Sequence, residues 1–341
     1  MRKEITGYQK QNRRRIAFLC LALLLVLLFF FADLFIGSAN LSFQETLLAI
    51  FSPNDVSDTA VLIVRQLRIP VALLGILVGL SLGTSGCVMQ TILENPLASP
   101  YTLGIGAGAS FGASLAILFG ANDYLVALSA FLSSMLISGF IFFFGCKRKI
   151  STHTMILLGI ALLFLFQALQ ALVQYFASDT QSQDILFWQF GSLQKADYRK
   201  VLILLIALVI VIPLLMKNSW KYTALSLGNQ RAESLGIHTN RLKLESFFFI
   251  SVISSLAVCF TGPIGFIGVA SPHMAKALVG EDHRFYLPLS GLLGSLVLLF
   301  ADVLSKIVSK GSIFPIGIIT SLIGVPFFFF ILFREKTSHA D

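Results

Sequence analysis

The amino-acid sequence predicts an all-α, polytopic membrane protein with about ten transmembrane helices. Composition points there first. The chain has 341 residues, 56% of them hydrophobic and 12% charged, with a mean hydropathy of +0.85. Soluble domains carry about 25% charged residues, so the side chains that would solvate a large aqueous domain are missing. The length suffices for many spans of roughly 20 residues. Glycine spacing is the second observation: Gly75, Gly79, Gly83 and Gly86 form one stripe on a helix. Such a stripe lets neighbouring backbones approach closely in lipid, where packing replaces the hydrophobic effect. Charge distribution is the third. With the N-terminus inside, the cytoplasmic ends collect most of the 25 basic residues, among them Arg13, Arg14, Arg15, Lys147, Arg148, Lys149, Lys217, Arg241, Lys243, Arg334 and Lys336. The outside keeps Arg65, Arg68, Lys195, Arg199, Lys200, Lys306 and Lys310. The reversed orientation violates the positive-inside rule at almost every loop, so the net charge of +8 reads as membrane orientation and not as a nucleic-acid surface.

The expected spans are 16–36, 70–92, 102–119, 125–145, 154–176, 200–216, 244–260, 262–279, 286–308 and 315–333. Basic residues precede the first, as in a signal peptide. Its apolar core is long and no clear small-x-small cleavage site follows, so a retained helix is expected. Segment 38–67 is expected to hold a short surface helix beginning near Ser42. The second span runs into Asn95-Pro96-Leu97-Ala98-Ser99-Pro100, whose prolines break the helix. Broken backbone at that depth is tolerated where protein or water buries it. In the fifth span Gln167, Gln170 and Gln174 share a helical face, a pattern that either joins a neighbouring helix or lines a passage. The longest cytoplasmic loop is 217–243. Within it Gly228 and Gly236 bracket 229–235, a helix of about two turns that glycine can terminate in the left-handed conformation. An even number of spans places both termini in the cytoplasm. The whole of 1–341 reads as one transmembrane domain, with a basic N-terminus at 1–15 and the loop at 217–243.

Catalytic motifs are missing. No lysine follows a glycine, so the chain has no G-x-x-x-x-G-K-[ST] phosphate loop, and it has neither H-E-x-x-H nor G-x-S-x-G. His153, His238, His273, His283 and His339 lack ligand spacing. Cys20, Cys87, Cys146 and Cys259 lie in or beside apolar runs without C-x-x-C spacing and read as packing residues, not disulfides or a metal site. Any uphill transport must draw its energy from elsewhere.

A series of fragments in order carries a resemblance. It begins with Arg68-Ile69-Pro70-Val71, then Ser85-Gly86 with Gln90, the Asn95–Pro100 break and Leu103-Gly104. It continues with Ser226-Leu227-Gly228, Ser234-Leu235-Gly236, Gly262-Pro263-Ile264-Gly265-Phe266-Ile267-Gly268 and Pro272-His273. It ends with Asp282-His283-Arg284, Ala301-Asp302 and Pro315-Ile316-Gly317. Over nearly the whole chain after the first span, this resembles the FecCD-type permeases, the permease subunits of ABC importers for iron-siderophores, haem and cobalamin.

The resemblance implies a ten-helix, non-enzymatic subunit of the bacterial plasma membrane, without a cofactor. It pairs with a second permease subunit, identical or paralogous, above two cytoplasmic ABC ATPase subunits, and an extracytoplasmic binding protein delivers the substrate. Spans 70–176 and 244–333 are then inverted pseudo-repeats, consistent with their opposite starting sides. Outer arginines of the family dock the binding protein. Arg68 matches the first, Val71 stands at the second, Lys306 at a later one, and Arg65 lies one turn before Arg68. Asp302 precedes Lys306 by four residues, where helical spacing pairs them. The ATPase-coupling element maps onto Leu227, Gly228, Asn229, Arg231, Ala232, Glu233, Ser234, Leu235 and Gly236. The family often has an acidic residue at the position of Asn229. Gln90, Asn95 and Pro96 map to an inner gate, with Gln167, Gln170 and Gln174 as further pathway candidates and His273 as a structural residue. Ferric siderophores are the expected substrate class, with haem or cobalamin as alternatives. An ion-coupled secondary transporter is the rival reading. It needs a midplane carboxylate, whereas Asp33, Glu94, Asp123 and Asp302 all lie toward span ends.

Overall fold

The computed structural model describes residues 2–37, 39, 41–148, 152–309 and 315–326. Lys149, Lys310, Arg334, Lys336 and the end of the 315–333 span lie outside the described residues. The described chain is helical throughout. Its elements are α1 (Arg2–Phe35), α2 (Phe43–Phe51), α3 (Asp58–Ile92), α4 (Ile105–Leu118), α5 (Asp123–Arg148), α6 (Thr152–Phe176) and α7 (Asp179–Gln189). They continue with α8 (Tyr198–Lys217), α9 (Ser219–Leu225), α10 (Asn229–Ser234), α11 (Thr239–Thr261), α12 (Ile267–Val279), α13 (His283–Ser309) and α14 (Ile316–Pro326).

Among the described residues seven helices, α1, α3, α5, α6, α8, α11 and α13, are long and apolar enough to cross a membrane. The spans expected at 102–119 and 262–279 are shorter than drawn: α4 has 14 residues and α12 has 13. At 1.5 Å per residue each covers about two thirds of a hydrocarbon core. The cause lies in the preceding backbone. Pro96, Pro100 and left-handed Gly104 (φ +81°) delay the start of α4. Gly262 (φ +74°) and Phe266 (φ +66°) delay that of α12.

The core is built on α3, which packs along α13 and also against α12 and α11. The glycine stripe makes this possible: a Cβ on Gly79, Gly83 or Gly86 would overlap the backbone of Ser295, Ser290 or Gly268 respectively. The packing is reciprocal. As α3 lies on α13 and α12, so α11 lies on α5 and α4; α4 packs on α5 as α12 does on α13. That is the pattern of two related three-helix sets meeting along α3 and α11. Outside them, α1 covers α13, and α8 covers α3 and α11. Near its start α3 contains a π-helical turn, Ile63–Arg68. The expected surface helix is α2, whose start is a capping box: Ser42 Oγ accepts from Glu45 N, and Ser42 N donates to Glu45 Oε2 at 2.7 Å.

Candidate functional site: the coupling segment and the end of α3

At one end of the bundle the 217–243 segment folds under α3. Gly228 (φ +105°) opens α10 and left-handed Gly236 (φ +79°) closes it, as the glycine spacing predicts. Leu227 and Leu235 are exposed, while Ala232 is fully buried. Thr239 Oγ1 donates to Glu233 Oε1 at 2.7 Å, tying α10 to the start of α11. Asn229 Nδ2 donates to Glu94 Oε1 at 2.5 Å, and Lys243 Nζ pairs with the same oxygen at 3.0 Å. The carboxylate at this junction therefore comes from α3's end, and an amide at 229 is its complement.

A cavity of about 470 Å³ lies between this segment and the membrane helices. It brings together two sets of residues that the sequence places far apart. Gln90, Glu94, Asn95 and Pro96 line one side and Leu225, Ser226, Leu227 and Gly228 the other, closed by His273, Lys276, His283 and Tyr286. Gln90 is nine-tenths buried; its Oε1 accepts from Tyr286 Oη at 3.3 Å and its Nε2 has no partner among the described residues. Asn95 Oδ1 accepts from Leu97 N at 2.9 Å, and Ala98 N donates to Asn95 O, so the break is a folded turn. His273 bonds Val269 O through Nδ1 at 2.9 Å, a structural contact within α12. Behind the cavity, Tyr222 is fully buried, and burial pushes its phenol up to about 12. Asp282 joins Arg15 of α1 at 3.1 Å and Arg284 at 2.7 Å. Arg284, with lesser help from Arg15, holds that carboxylate below its ordinary range against the opposing effect of burial.

A second cavity, about 790 Å³, lies on the other side of the break. Ser99, Tyr101 and Thr102 line it together with Phe190, Pro263, Phe266 and the α14 residues Gly317 to Pro326. Asn95–Thr102 is thus a wall with a polar cavity beneath it and a mostly apolar one above it. Of the glutamines expected along a passage, Gln170 is buried, Gln174 half-buried and Gln167 exposed on α6. None of the three lines either cavity.

At the opposite end the three cations expected to dock a partner turn inward. Arg68 is only 6% exposed. Its Nη1 donates to Leu34 O at 2.8 Å and its Nη2 to Ala39 O at 2.7 Å, so it satisfies a carbonyl in the last turn of α1 and one in the loop that follows. Arg65 satisfies two in the last turn of α2, Ala49 O at 2.9 Å and Ile50 O at 2.8 Å. Lys306 pairs with Asp302 at 2.8 Å, as helical spacing predicts, and with Asp33 of α1 at 2.7 Å. Asp33 is fully buried. Its partnership with Lys306 spans 273 positions, and nothing local in the sequence signals it. Glu94 and His283 were likewise read only as an end carboxylate and a motif member; their partners come from other elements.

The comparisons with known proteins place the chain in a family. Residues 24–334 match the model of the FecCD transport family. The chain belongs to that family. It is 35% identical over 328 residues to an iron chelatin transport system permease protein of Helicobacter pylori, with 94% of this chain and 98% of the other covered. It is 30% identical over 329 residues to an Fe(3+)-citrate import system permease protein of Bacillus subtilis, covering 95% and 97%. The solved structure of a metal-chelate type ABC transporter in an inward-facing conformation superposes with a TM-score of 0.83 at 30% identity, over 93% of this chain and 98% of that one. As a FecCD member the chain is a multi-pass membrane permease subunit of a binding-protein-dependent ABC importer. It is not an enzyme; ATP hydrolysis belongs to a separate subunit. Such a permease works with an ATPase, a binding protein and a second permease subunit.

Proposed function

We propose that this permease imports a ferric chelate of the siderophore or citrate type across a bacterial plasma membrane, with both termini and the 217–243 segment in the cytosol. Two ATPase subunits seat against α10 of this chain and of its permease partner. The carrying observation is the cavity at the end of α3, where the proposed gate residues Gln90, Asn95 and Pro96 face Leu227 and Gly228 of the proposed coupling segment. A force applied to α10 has only one cavity width to travel before it reaches the break. The larger cavity beyond the break, roomy and weakly polar, suits a chelate that must be released and not ligated.

The inward-turned arginines refine the proposal for the outer face. Arg65 and Arg68 fix the ends of α2 and α1, and so shape the surface on which the binding protein rests without gripping its carboxylates. Lys306 holds α13 to α1 in the same way.

The test is uptake in proteoliposomes carrying the permease, its ATPase and its binding protein, with ⁵⁵Fe-citrate and a ⁵⁵Fe-hydroxamate as probes. ATP-dependent ⁵⁵Fe accumulation is expected. Accumulation of haem or cobalamin without ⁵⁵Fe would overturn the substrate class. Uptake by the chain alone, driven by an ion gradient, would overturn the mechanism.

A further inference from the structure

His283 is 1% exposed and touches three elements at once. Its backbone N–H donates to Thr223 Oγ1 of α9 at 2.9 Å. Its Nδ1–H donates to Glu281 O at 2.9 Å, which leaves Nε2 as an acceptor. The Thr91 hydroxyl, on the last turn of α3, reaches that Nε2 at 2.7 Å. The ring lies between two tyrosines, edge-on to Tyr286 at 5.1 Å and tilted on Tyr222 at 5.7 Å between ring centres. Each tyrosine is anchored in turn: Tyr286 Oη to Gln90 of α3, and Tyr222 Oη to Ser246 of α11 at 2.7 Å.

We infer that His283 is a positioning residue, the joint that makes α3's end and the 93–103 break follow α9. A second link from the end of α3 to the 217–243 segment, Glu94 with Asn229 and Lys243, lies nearer the surface, where an ion pair yields readily to solvent. The His283 link is buried, short and flanked by packed rings, so displacing Thr223 displaces Thr91. The joint rests on the coupling role of 217–243 proposed above. The simpler role for His283 is to hold the turn between α12 and α13 through Glu281 alone. The two roles use different ring nitrogens, and amide side chains separate them: glutamine reproduces the reach of Nε2, asparagine that of Nδ1.

Hydrogen exchange on the assembled permease–ATPase complex, with and without trapped ADP–vanadate, reads the joint without needing the transported ligand. In the wild-type chain the ATPase is expected to protect 219–236, and nucleotide trapping to change exchange at 93–103. His283→Ala should keep the protection at 219–236 and shrink the nucleotide-dependent change at 93–103 by about fivefold or more. His283→Gln should restore it and His283→Asn should not. Should His283→Ala fail to assemble, Thr91→Val removes only the hydroxyl and should show the same loss. An undiminished response in Thr91→Val, or rescue by asparagine in place of glutamine, would overturn the joint. Absence of protection at 219–236 in the wild-type complex would instead overturn the coupling role on which it rests.

Discussion

Lys306 shows what a single side chain contributes at the outer end of the bundle. It lies between two carboxylates that are almost fully buried, Asp33 and Asp302, and removing it takes away the side chain that pairs with both. Breaking a buried pair costs about 3–5 kcal/mol, whereas replacing all members with neutral groups is far milder. Lys306→Met is expected to lower the detergent melting temperature sharply, and the triple variant Asp33→Asn, Asp302→Asn, Lys306→Met to recover most of the loss. Equal melting temperatures for the single and triple variants would contradict the cluster. Arg68 is open to a different measurement. If it serves the end of α1, Arg68→Ala should speed hydrogen exchange around residues 33–39 in the permease without any binding protein. A change seen only in binding-protein affinity would return Arg68 to the rim. Both residues were visible in the sequence as cations at span ends. Asp302 was legible as a partner of Lys306 from its spacing; the other partners were not, because Leu34, Ala39 and Asp33 reach these cations through the tertiary fold.

Among the elements, the order of apolar helices was fully legible, since periodic apolar runs bounded by basic residues leave little alternative. The α2 capping box and the glycine-bracketed α10 were legible too, because both depend on residues within one or two turns of each other. The short lengths of α4 and α12 were less so. Their starts are set by positive-φ backbone at Gly104 and Phe266, and a phenylalanine there gives no compositional warning. The glycine stripe makes its own prediction. Gly83→Ala should cost about 1–3 kcal/mol of stability, because the added methyl meets the Ser290 backbone. Gly139→Ala, with open space around it, should change the melting temperature little. The tie between α1 and α13 carries a pH signature. Asp282 titrates below its ordinary range in the folded chain, so its contribution is present above about pH 4, the ordinary carboxylate value. It is lost as pH falls through the depressed value. The melting-temperature gap between wild type and Asp282→Asn should therefore hold from pH 7 to about 4.5 and narrow below that. A gap independent of pH would show that the tie is not ionic.

For the whole molecule, orientation decides everything that follows, and the charge bias makes it a sharp prediction. In right-side-out membrane preparations, a membrane-impermeant maleimide should fail to label a cysteine placed at the exposed Leu235, and should label it once the membranes are inverted. Labelling from the outside would reverse the topology and with it the coupling scheme. The family was legible from the motifs in order, and so was the glycine-bracketed helix between Gly228 and Gly236. Its approach to the end of α3 was not, since Gln90, Thr91 and Glu94 precede it by well over a hundred residues and meet it only in the tertiary fold.

The π-helical turn at Ile63–Arg68 sets the direction in which α3 leaves its first turns. A wide turn holds one residue more than an α-turn does. Deleting one residue there would rewind everything upstream by about 100° about the axis. The two helix-ending arginines could no longer both face the carbonyls they now serve, one beside α2 and one beside α1. That extra residue is what lets a single rod brace two neighbours standing in different directions.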